Sequence, residues 1–268
     1  MFRMVAVDLD DTLLHSDLTI SARAKAAVAR MVAQGIKVVV TTGRMYVAAL
    51  PFWRQLGLSD PVIAYQGASV MDPVTGKSLF STTVPLPLAR DVVAFARQHK
   101  VHVQLYSGDT YYYPEWNRFS EFYQKTSSIT GQHGDLDALL ANGEEPVKLI
   151  YIDDPDAILA LDPLAQAALG DKLAISISKP EYLEFTNKSA DKGKAVRFLA
   201  EMWGFDPSEV ATFGDGANDV PMFEYAGLGV AMANARPEVQ QAADVVTLSN
   251  DEDGAAIAFE RYILGDDI

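Results

Sequence analysis

The chain contains no cysteine among its 268 residues. Disulfide bonds, zinc–thiolate sites and thiol nucleophiles are therefore all excluded. No apolar run approaches the roughly 18 residues that a membrane-spanning helix needs, and the first residues show no charged segment followed by an apolar signal region. We therefore expect a soluble cytoplasmic protein with no membrane partner.

Basic residues are also scarce. The sequence has 22 Lys and Arg against 36 Asp and Glu, which gives a formal net charge of −14. Because nucleic-acid backbones are bound by clusters of Lys and Arg, nucleic acid is not expected as a partner. Any phosphate site must instead be built locally, from a few basic groups, backbone amides and a metal ion.

What the chain does contain is an ordinary apolar fraction of 49%, enough to bury a core of good size. Short apolar runs, typical of strands buried on both faces of a parallel sheet, alternate with segments of helical periodicity. The first helix, over about residues 22–34, has Ser21 as its cap and ends at Gly35. The predicted core strands are residues 4–7, 36–40, 61–65, 210–213, 228–232 and 245–248.

The rhythm of helices and strands changes near residue 85 and returns near residue 188. We therefore predict a core of residues 1–83 and 188–268 with a second α/β domain, 84–187, inserted into it. Eight aromatic residues lie between Tyr106 and Tyr123. Most of them are expected to pack a sheet face against helices, while one or two lining a substrate pocket is the alternative.

Polar side chains follow several core strands at the point where each strand ends, and ligands of open α/β sheets bind at that edge. Two carboxylates as close as Asp8 and Asp10 need a cation or a shared proton to coexist, and such an oxygen-rich group suits Mg²⁺. The residues concerned are Asp8, Asp10, Thr42, Gly43, Asp215, Asn218 and Asp219, with Lys192 and Gly193 at the start of a helix.

These groups resemble the four motifs of the haloacid dehalogenase-like phosphohydrolases. The motifs are Asp8-x-Asp10-x-Thr12, Thr42-Gly43-Arg44, Lys192-Gly193 and Gly214-Asp215-x-x-Asn218-Asp219. The long insertion and the segments 229–235 and 243–247 resemble the Cof-type subfamily of capped sugar-phosphate phosphatases. The resemblance covers both core segments almost entirely, and in the insertion it rests on length and element order. It implies a Rossmann-like parallel-sheet core with a large inserted α/β cap that closes over the substrate and sets selectivity.

The resemblance also implies a role for each motif residue. Asp8 is expected to be the nucleophile, and Asp10 the general acid that later activates water. The phosphate group is expected to contact Leu9, Thr42, Gly43, Arg44, Lys192 and Asn218, with Asn218 alternatively orienting Asp8. Mg²⁺ is expected to be bound by Asp8, the Asp10 carbonyl, Asp215 and, through water, Asp219.

Two positions near these motifs need separate comment. Arg44 either binds substrate or caps the turn that Thr42 and Gly43 form. Gln66 departs from the family pattern, which commonly has Asn before Gly-Ala, so no substrate contact is carried over to this position.

The predicted function is that of a Mg²⁺-dependent phosphomonoester hydrolase acting through an aspartyl-phosphate intermediate. The expected substrate is a small phosphorylated metabolite, such as a sugar phosphate or a pyridoxal or flavin phosphate. A phosphomutase on the same scaffold and a non-catalytic phospho-ligand binder are the alternatives. The identity of the substrate and the oligomeric state stay open at this stage.

Overall fold

The computed structural model of the chain describes residues 1–127 and 129–267. Over these residues the apolar runs form strands that lie mostly inside the protein, and polar, Gly-containing turns connect them to helices. The strands are β1 (Met4–Asp8), β2 (Lys37–Thr41), β3 (Val62–Ala64), β4 (Ser69–Asp72), β5 (Lys77–Ser81), β6 (His102–Ser107), β7 (Thr110–Tyr113), β8 (Gln132–His133), β9 (Lys148–Ile152), β10 (Leu173–Lys179), β11 (Tyr182–Asn187), β12 (Val210–Gly214), β13 (Leu228–Ala231) and β14 (Val245–Val246).

The helices connect these strands. They are α1 (Ala22–Ala33), α2 (Tyr46–Gln55), α3 (Leu86–His99), α4 (Arg118–Ser127), α5 (Leu136–Ala141), α6 (Pro155–Leu169), α7 (Lys192–Trp203), α8 (Val220–Tyr225), α9 (Pro237–Ala242) and α10 (Gly254–Ala258). None of the helices in the described part of the chain combines the length and apolar character that a bilayer-spanning segment requires.

The chain divides into two compact units. The first consists of Met1–Phe80 together with the stretch from Asp191 onward, and the second of Ser81–Ala190. The sheet of the first unit has the strand order β14-β13-β12-β1-β2-β3-β4-β5. Its strands from β14 to β3 run parallel, and β4 is antiparallel to β3.

Strand β1 lies at the centre of this parallel part, between β12 and β2. All five of its residues are buried, as expected for a strand covered on both faces. In the register with β2, Asp8 lies beside Thr41, so the chain segments that follow the two strands begin side by side. The α/β fold class and the parallel core sheet predicted from the sequence are therefore confirmed.

The sheet of the second unit is mostly antiparallel, with the strand order β10-β11-β9-β6-β7-β8. Side chains alternate between its two faces, as the period of a strand requires. One face carries Leu105, Tyr151 and Phe185, which form a hydrophobic core with residues of α3, α5 and α6. The second unit therefore buries an apolar core of its own.

The opposite face of the same sheet is more polar. Lys148 and Glu184 form a buried ion pair there, with Nζ 3.1 Å from Oε1, and the Ser178 hydroxyl donates to the same carboxylate oxygen at 2.7 Å. Tyr106 packs edge-on against Tyr123 of α4. The expected packing of aromatic side chains between this sheet and a helix is therefore seen for both tyrosines.

Two short helices, α5 and α10, were not predicted from the sequence. Each has only five or six residues, too few for an apolar periodicity to be recognised. Helix α5 depends on tertiary packing, because its residues Leu136 and Leu140 are buried in the core of the second unit.

His102 on β6 is the buried titratable group whose charge state we expect to affect the stability of the second unit. Its ring nitrogens lie 3.3 Å from Gln104 Nε2 and 3.2 Å from Asn117 Nδ2, and burial lowers its pKa to about 4. The unfolded chain, with an ordinary pKa of 6.5, binds the proton first as the pH falls. Protonation between these two values therefore favours unfolding.

We predict that the free energy of unfolding falls by up to about 3 kcal/mol through His102 between pH 7 and pH 4. A His102→Gln variant is expected to lose less stability over the same interval, because Gln does not titrate. Urea unfolding of both proteins at pH 7 and pH 4 measures the difference. An equal loss in the two proteins would contradict the prediction.

Candidate active site

The side chains singled out in the sequence meet at the carboxyl edge of the first unit's sheet, where β12, β1 and β2 end as neighbours. Asp8 is the last residue of β1, and the turn Leu9–Leu13 follows it. Thr42 and Asp215 directly follow β2 and β12. Parallel strands bring these three positions together because their carboxyl ends lie at one edge.

Lys192, the first residue of α7, lies at the centre of the site. Its side chain is fully buried, and its Nζ lies 2.9 Å from Asp8 Oδ1 and 2.6 Å from Asp219 Oδ1. The second oxygen of Asp219 accepts hydrogen bonds from the backbone N–H groups of Asp215 and Gly216, at 3.0 and 2.9 Å. One ammonium group therefore links the end of β1, the start of α7 and the loop after β12.

Burial shifts the protonation of these groups. Removal from water raises the pKa of Asp8 well above its ordinary value, and the neighbouring carboxylates of Asp219 and Asp215 raise it further, while Lys192 opposes the shift. For Lys192, burial disfavours the charged form, but the carboxylates of Asp219 and Asp8 outweigh burial and raise its pKa. The lysine is therefore held as a cation.

Asp215 is oriented by Thr12, whose hydroxyl donates to Asp215 Oδ1 at 2.8 Å. Burial raises the pKa of Asp215 to about 6, in spite of this hydrogen bond. Thr12 was part of the recognised motif but was not assigned a role from the sequence. Its position in that motif, four residues after Asp8, could have indicated that Thr12 belongs to the site.

The carboxylates of Asp8, Asp215 and Asp219 each offer one oxygen, and these atoms lie within 4.8 Å of one another. When all three are ionised, the single charge of Lys192 leaves two negative charges without compensation. A divalent cation would balance them, and an all-oxygen donor set is the kind that Mg²⁺ prefers. The residues present therefore fit a magnesium ion.

Asp10 and Arg44 form a two-pronged ion pair beside this cluster. Arg44 Nε donates to Asp10 Oδ2 at 2.8 Å, and Nη2 donates to Oδ1 at 2.5 Å. Neither of the two roles considered for Arg44, substrate binding and turn capping, includes this contact. Such a pair uses both carboxylate oxygens and both prongs of the guanidinium group.

The loop after β2 holds Thr42 in place. Its side chain is buried, its Oγ1 accepts from the backbone N–H of Arg44 at 3.0 Å, and its carbonyl oxygen accepts from Gln66 N at 3.1 Å. The Thr42 hydroxyl donates to no other group of residues 1–127 and 129–267, so its proton remains available for a ligand. Leu9 is buried and Gly43 is half-buried.

Asn218 lies at the exposed rim of the site. Its Nδ2 donates to Gln66 Oε1 at 2.5 Å, and no hydrogen bond joins it to Asp8 within residues 1–127 and 129–267. No role is predicted from the sequence for Gln66, because this position departs from the family pattern. Only the structure shows that it contacts a motif residue.

Comparison with known proteins places the chain in a family. A sequence model of the haloacid dehalogenase-like hydrolases matches residues 5–259. The chain is 28% identical over 263 residues to a pyridoxal phosphate phosphatase of Escherichia coli, covering 95% of this chain and 96% of that protein. It is 29% identical over 269 residues to a 5-amino-6-(5-phospho-D-ribitylamino)uracil phosphatase of Bacillus subtilis, covering 97% of each. A crystal structure of a Thermotoga maritima protein matches with a TM-score of 0.89 and 34% identity over 97% of each chain.

We predict that Lys192→Met lowers the free energy of unfolding by about 3 kcal/mol or more. Removing one partner of a buried ion pair leaves uncompensated charge in a buried site. Chemical denaturation at pH 7 measures the loss. The double variant Lys192→Met/Asp219→Asn should recover part of it, because one of the stranded carboxylates is then neutral.

Lys194→Met provides the matched control on the same helix. Lys194 is exposed, and its nearest acidic oxygen, in Asp191, is 3.9 Å away. Surface pairs of this kind contribute at most about 1 kcal/mol. Equal destabilisation by the two Lys→Met changes would mean that the buried ion pairs do not stabilise the fold.

Proposed function

The chain belongs to the haloacid dehalogenase-like hydrolases, and from this premise we propose that it hydrolyses the phosphate monoester of a small phosphorylated metabolite. The observation that carries the proposal is the buried contact of Lys192 with Asp8 and Asp219, beside Asp215 and within reach of the segment that holds Asp10. The arrangement supports the proposal, because the residues expected to act as nucleophile, acid–base group and phosphate-binding cation lie at one edge of the sheet.

In the first proposed step, a carboxylate oxygen of Asp8 forms a bond to phosphorus as the bond to the leaving oxygen breaks. Asp10 gives its proton to that leaving oxygen, so an alcohol departs and an aspartyl phosphate remains. In the second step, Asp10 takes a proton from water, which attacks phosphorus. Inorganic phosphate is released and Asp8 is restored.

The ion pair with Arg44 bears on the role of Asp10. Both oxygens of the Asp10 carboxylate accept from Arg44. To carry a proton to the leaving group, Asp10 must withdraw one oxygen from this pair. Arg44 would then have donors free for a phosphate oxygen, which is the role that the sequence suggested for it.

The remaining donors would hold the phosphate group. Lys192 has three N–H donors and directs two of them at carboxylates, which leaves one for a phosphate oxygen. The Thr42 hydroxyl and the backbone N–H groups of Leu9 and Gly43 would add neutral donors, with Asn218 at the rim. Hydrogen-bond donors that are already in position before the reaction stabilise the charge that develops on the phosphoryl oxygens in the transition state.

A Mg²⁺ ion held by Asp8, Asp215, the Asp10 carbonyl and, through water, Asp219 would reduce the repulsion between an anionic nucleophile and an anionic substrate. Its binding would also keep the Asp8 carboxyl ionised at neutral pH, against the effect of burial. The cluster of three carboxylates with a single lysine supports this part of the proposal.

For the substrate, the two relatives support pyridoxal phosphate, 5-amino-6-(5-phospho-D-ribitylamino)uracil or another phosphorylated metabolite of similar size. We also propose that the segment 84–187 governs which metabolite is hydrolysed. Its separate hydrophobic core supports this, because its surface can vary without disturbing the catalytic unit.

We predict that purified protein releases phosphate from at least one member of a panel of phosphorylated metabolites, and that EDTA abolishes the release. Asp8→Asn is expected to lower turnover by at least about a thousandfold, because it removes the nucleophile. Phosphate release and circular dichroism are measured together. Asp11→Asn is the control, because it removes the same charge at an exposed position three residues after Asp8. This variant should remain active.

The alternative functions give different outcomes in the same assay. An Asp8→Asn variant that keeps wild-type activity would rule out the covalent mechanism. Transfer of the phosphoryl group to a second position of a sugar, without release, would identify a phosphomutase. Ligand binding without any turnover by the wild type would indicate a phospho-ligand binder.

We further predict that the effect of Asp10→Asn depends on the leaving group. Alkyl phosphates require protonation of the departing oxygen, so their hydrolysis should fall by about a hundredfold to ten-thousandfold. Hydrolysis of p-nitrophenyl phosphate should fall much less, because nitrophenolate leaves without a proton. Comparing kcat/KM for both substrates measures the difference, and equal losses would exclude Asp10 as the acid.

A further inference from the structure

The turn after β3 has an unusual backbone. Tyr65 and Gln66, in succession, have φ angles of 53° and 59°, in the left-handed region that residues with a side chain rarely adopt. Hydrogen bonds from Tyr65 N to the Arg44 carbonyl at 3.0 Å and from Gln66 N to the Thr42 carbonyl at 3.1 Å hold this conformation. The turn is therefore fixed on the loop that contains Thr42.

The strained turn places the Gln66 amide against Gly43. A Cβ atom at Gly43 would lie 2.2 Å from Gln66 Nε2, so the amide occupies space that only glycine leaves open. Asn218 lies in the same way against Gly216, where a Cβ would be 2.2 Å from its Oδ1. The two amides are joined by the hydrogen bond from Asn218 Nδ2 to Gln66 Oε1.

This hydrogen bond connects distant parts of the sheet edge. Strands β3 and β12, which precede the two residues, are separated by β1 and β2, or roughly 14 Å at the usual spacing of strands. The two strands in between end in Asp8 and Thr41. The amide pair thus joins the two sides of the site that contains the proposed nucleophile.

We propose that Gln66 is a positioning residue that holds Asn218 and the loop of Thr42 and Gly43 in the arrangement that binds the phosphate group. The inference rests on the proposed function and deepens it. Asn218 is exposed, so without a partner its side chain would have to be ordered each time phosphate binds. Backbone strain that persists beside a site is also typical of residues selected for function over stability.

Gln66→Gly separates positioning from a purely structural role. Glycine adopts the positive φ without strain, so the thermal unfolding temperature should stay unchanged or rise. At the same time the amide is lost, and we expect kcat/KM to fall roughly two- to tenfold, mainly through KM, as the loss of one hydrogen bond implies. Affinity for inorganic phosphate, measured by calorimetry, should fall by a similar factor.

Lys100→Gly is the matched control. Lys100 has a φ of 56°, is exposed, and caps the C-terminal end of helix α3 in the second unit. It should gain stability from the same relief of strain and leave KM and phosphate affinity unchanged. If both Gly variants change KM alike, Gln66 has no specific role.

A double-mutant cycle of Gln66→Ala and Asn218→Ala tests the pair directly. If the two residues act as one unit, the double variant should bind phosphate no more weakly than the single variant with the lower phosphate affinity. Additive losses, or a Gln66→Gly protein with wild-type KM and phosphate affinity, would overturn the proposal.

The same measurements distinguish this proposal from the proposed function. A wild type that hydrolyses no phosphate ester would refute the phosphatase assignment, and the titrations with inorganic phosphate would still decide the role of Gln66. Weaker binding by Gln66→Gly than by wild type would support it, whereas equal binding, or no binding to the wild type, would refute it.

Discussion

The contact of the Lys192 ammonium with the carboxylates of Asp8 and Asp219 is the interaction on which the site depends. A buried ammonium is tolerated only when it is paired, and buried carboxylates have the same requirement. The three groups come from β1, α7 and the loop after β12. Their electrostatic pairing therefore holds three separate segments together at one point. The remaining oxygen of Asp219 is held by backbone N–H groups, so the pairing allows little rearrangement.

Around this buried centre lies a more exposed layer of polar contacts, formed by Asp10 with Arg44 and by Gln66 with Asn218. Water reaches these groups, so breaking their contacts costs less than breaking those of Lys192. The two layers suit different tasks. The buried layer holds Asp8 and the other two carboxylates in place, whereas the outer layer contains the groups that, in the proposed mechanism, exchange partners when a substrate binds.

The second unit is stabilised by contacts of its own. Its mostly antiparallel sheet has an apolar face covered by helices and an opposite face with a buried Lys148–Glu184 pair and the neutral His102. Both polar features need specific partners, which makes this face less tolerant of change than the apolar one. A unit with its own core can diverge in sequence independently of the first unit.

The sequence by itself determined the local features: the strand before Asp8, the acidic turn after it, the start of a helix near Lys192 and the succession of strands and helices along the core segments of the chain. Such features depend on neighbouring residues, since a strand buried on both faces is apolar throughout and its end is marked by polar residues. The short helices α5 and α10 were missed because packing, not periodicity, stabilises them. Only the tertiary structure decided that Arg44 pairs with Asp10, that Thr12 orients Asp215 and that Gln66 meets Asn218. These contacts join residues up to 203 positions apart, and strand order and register, which no local pattern encodes, bring them together.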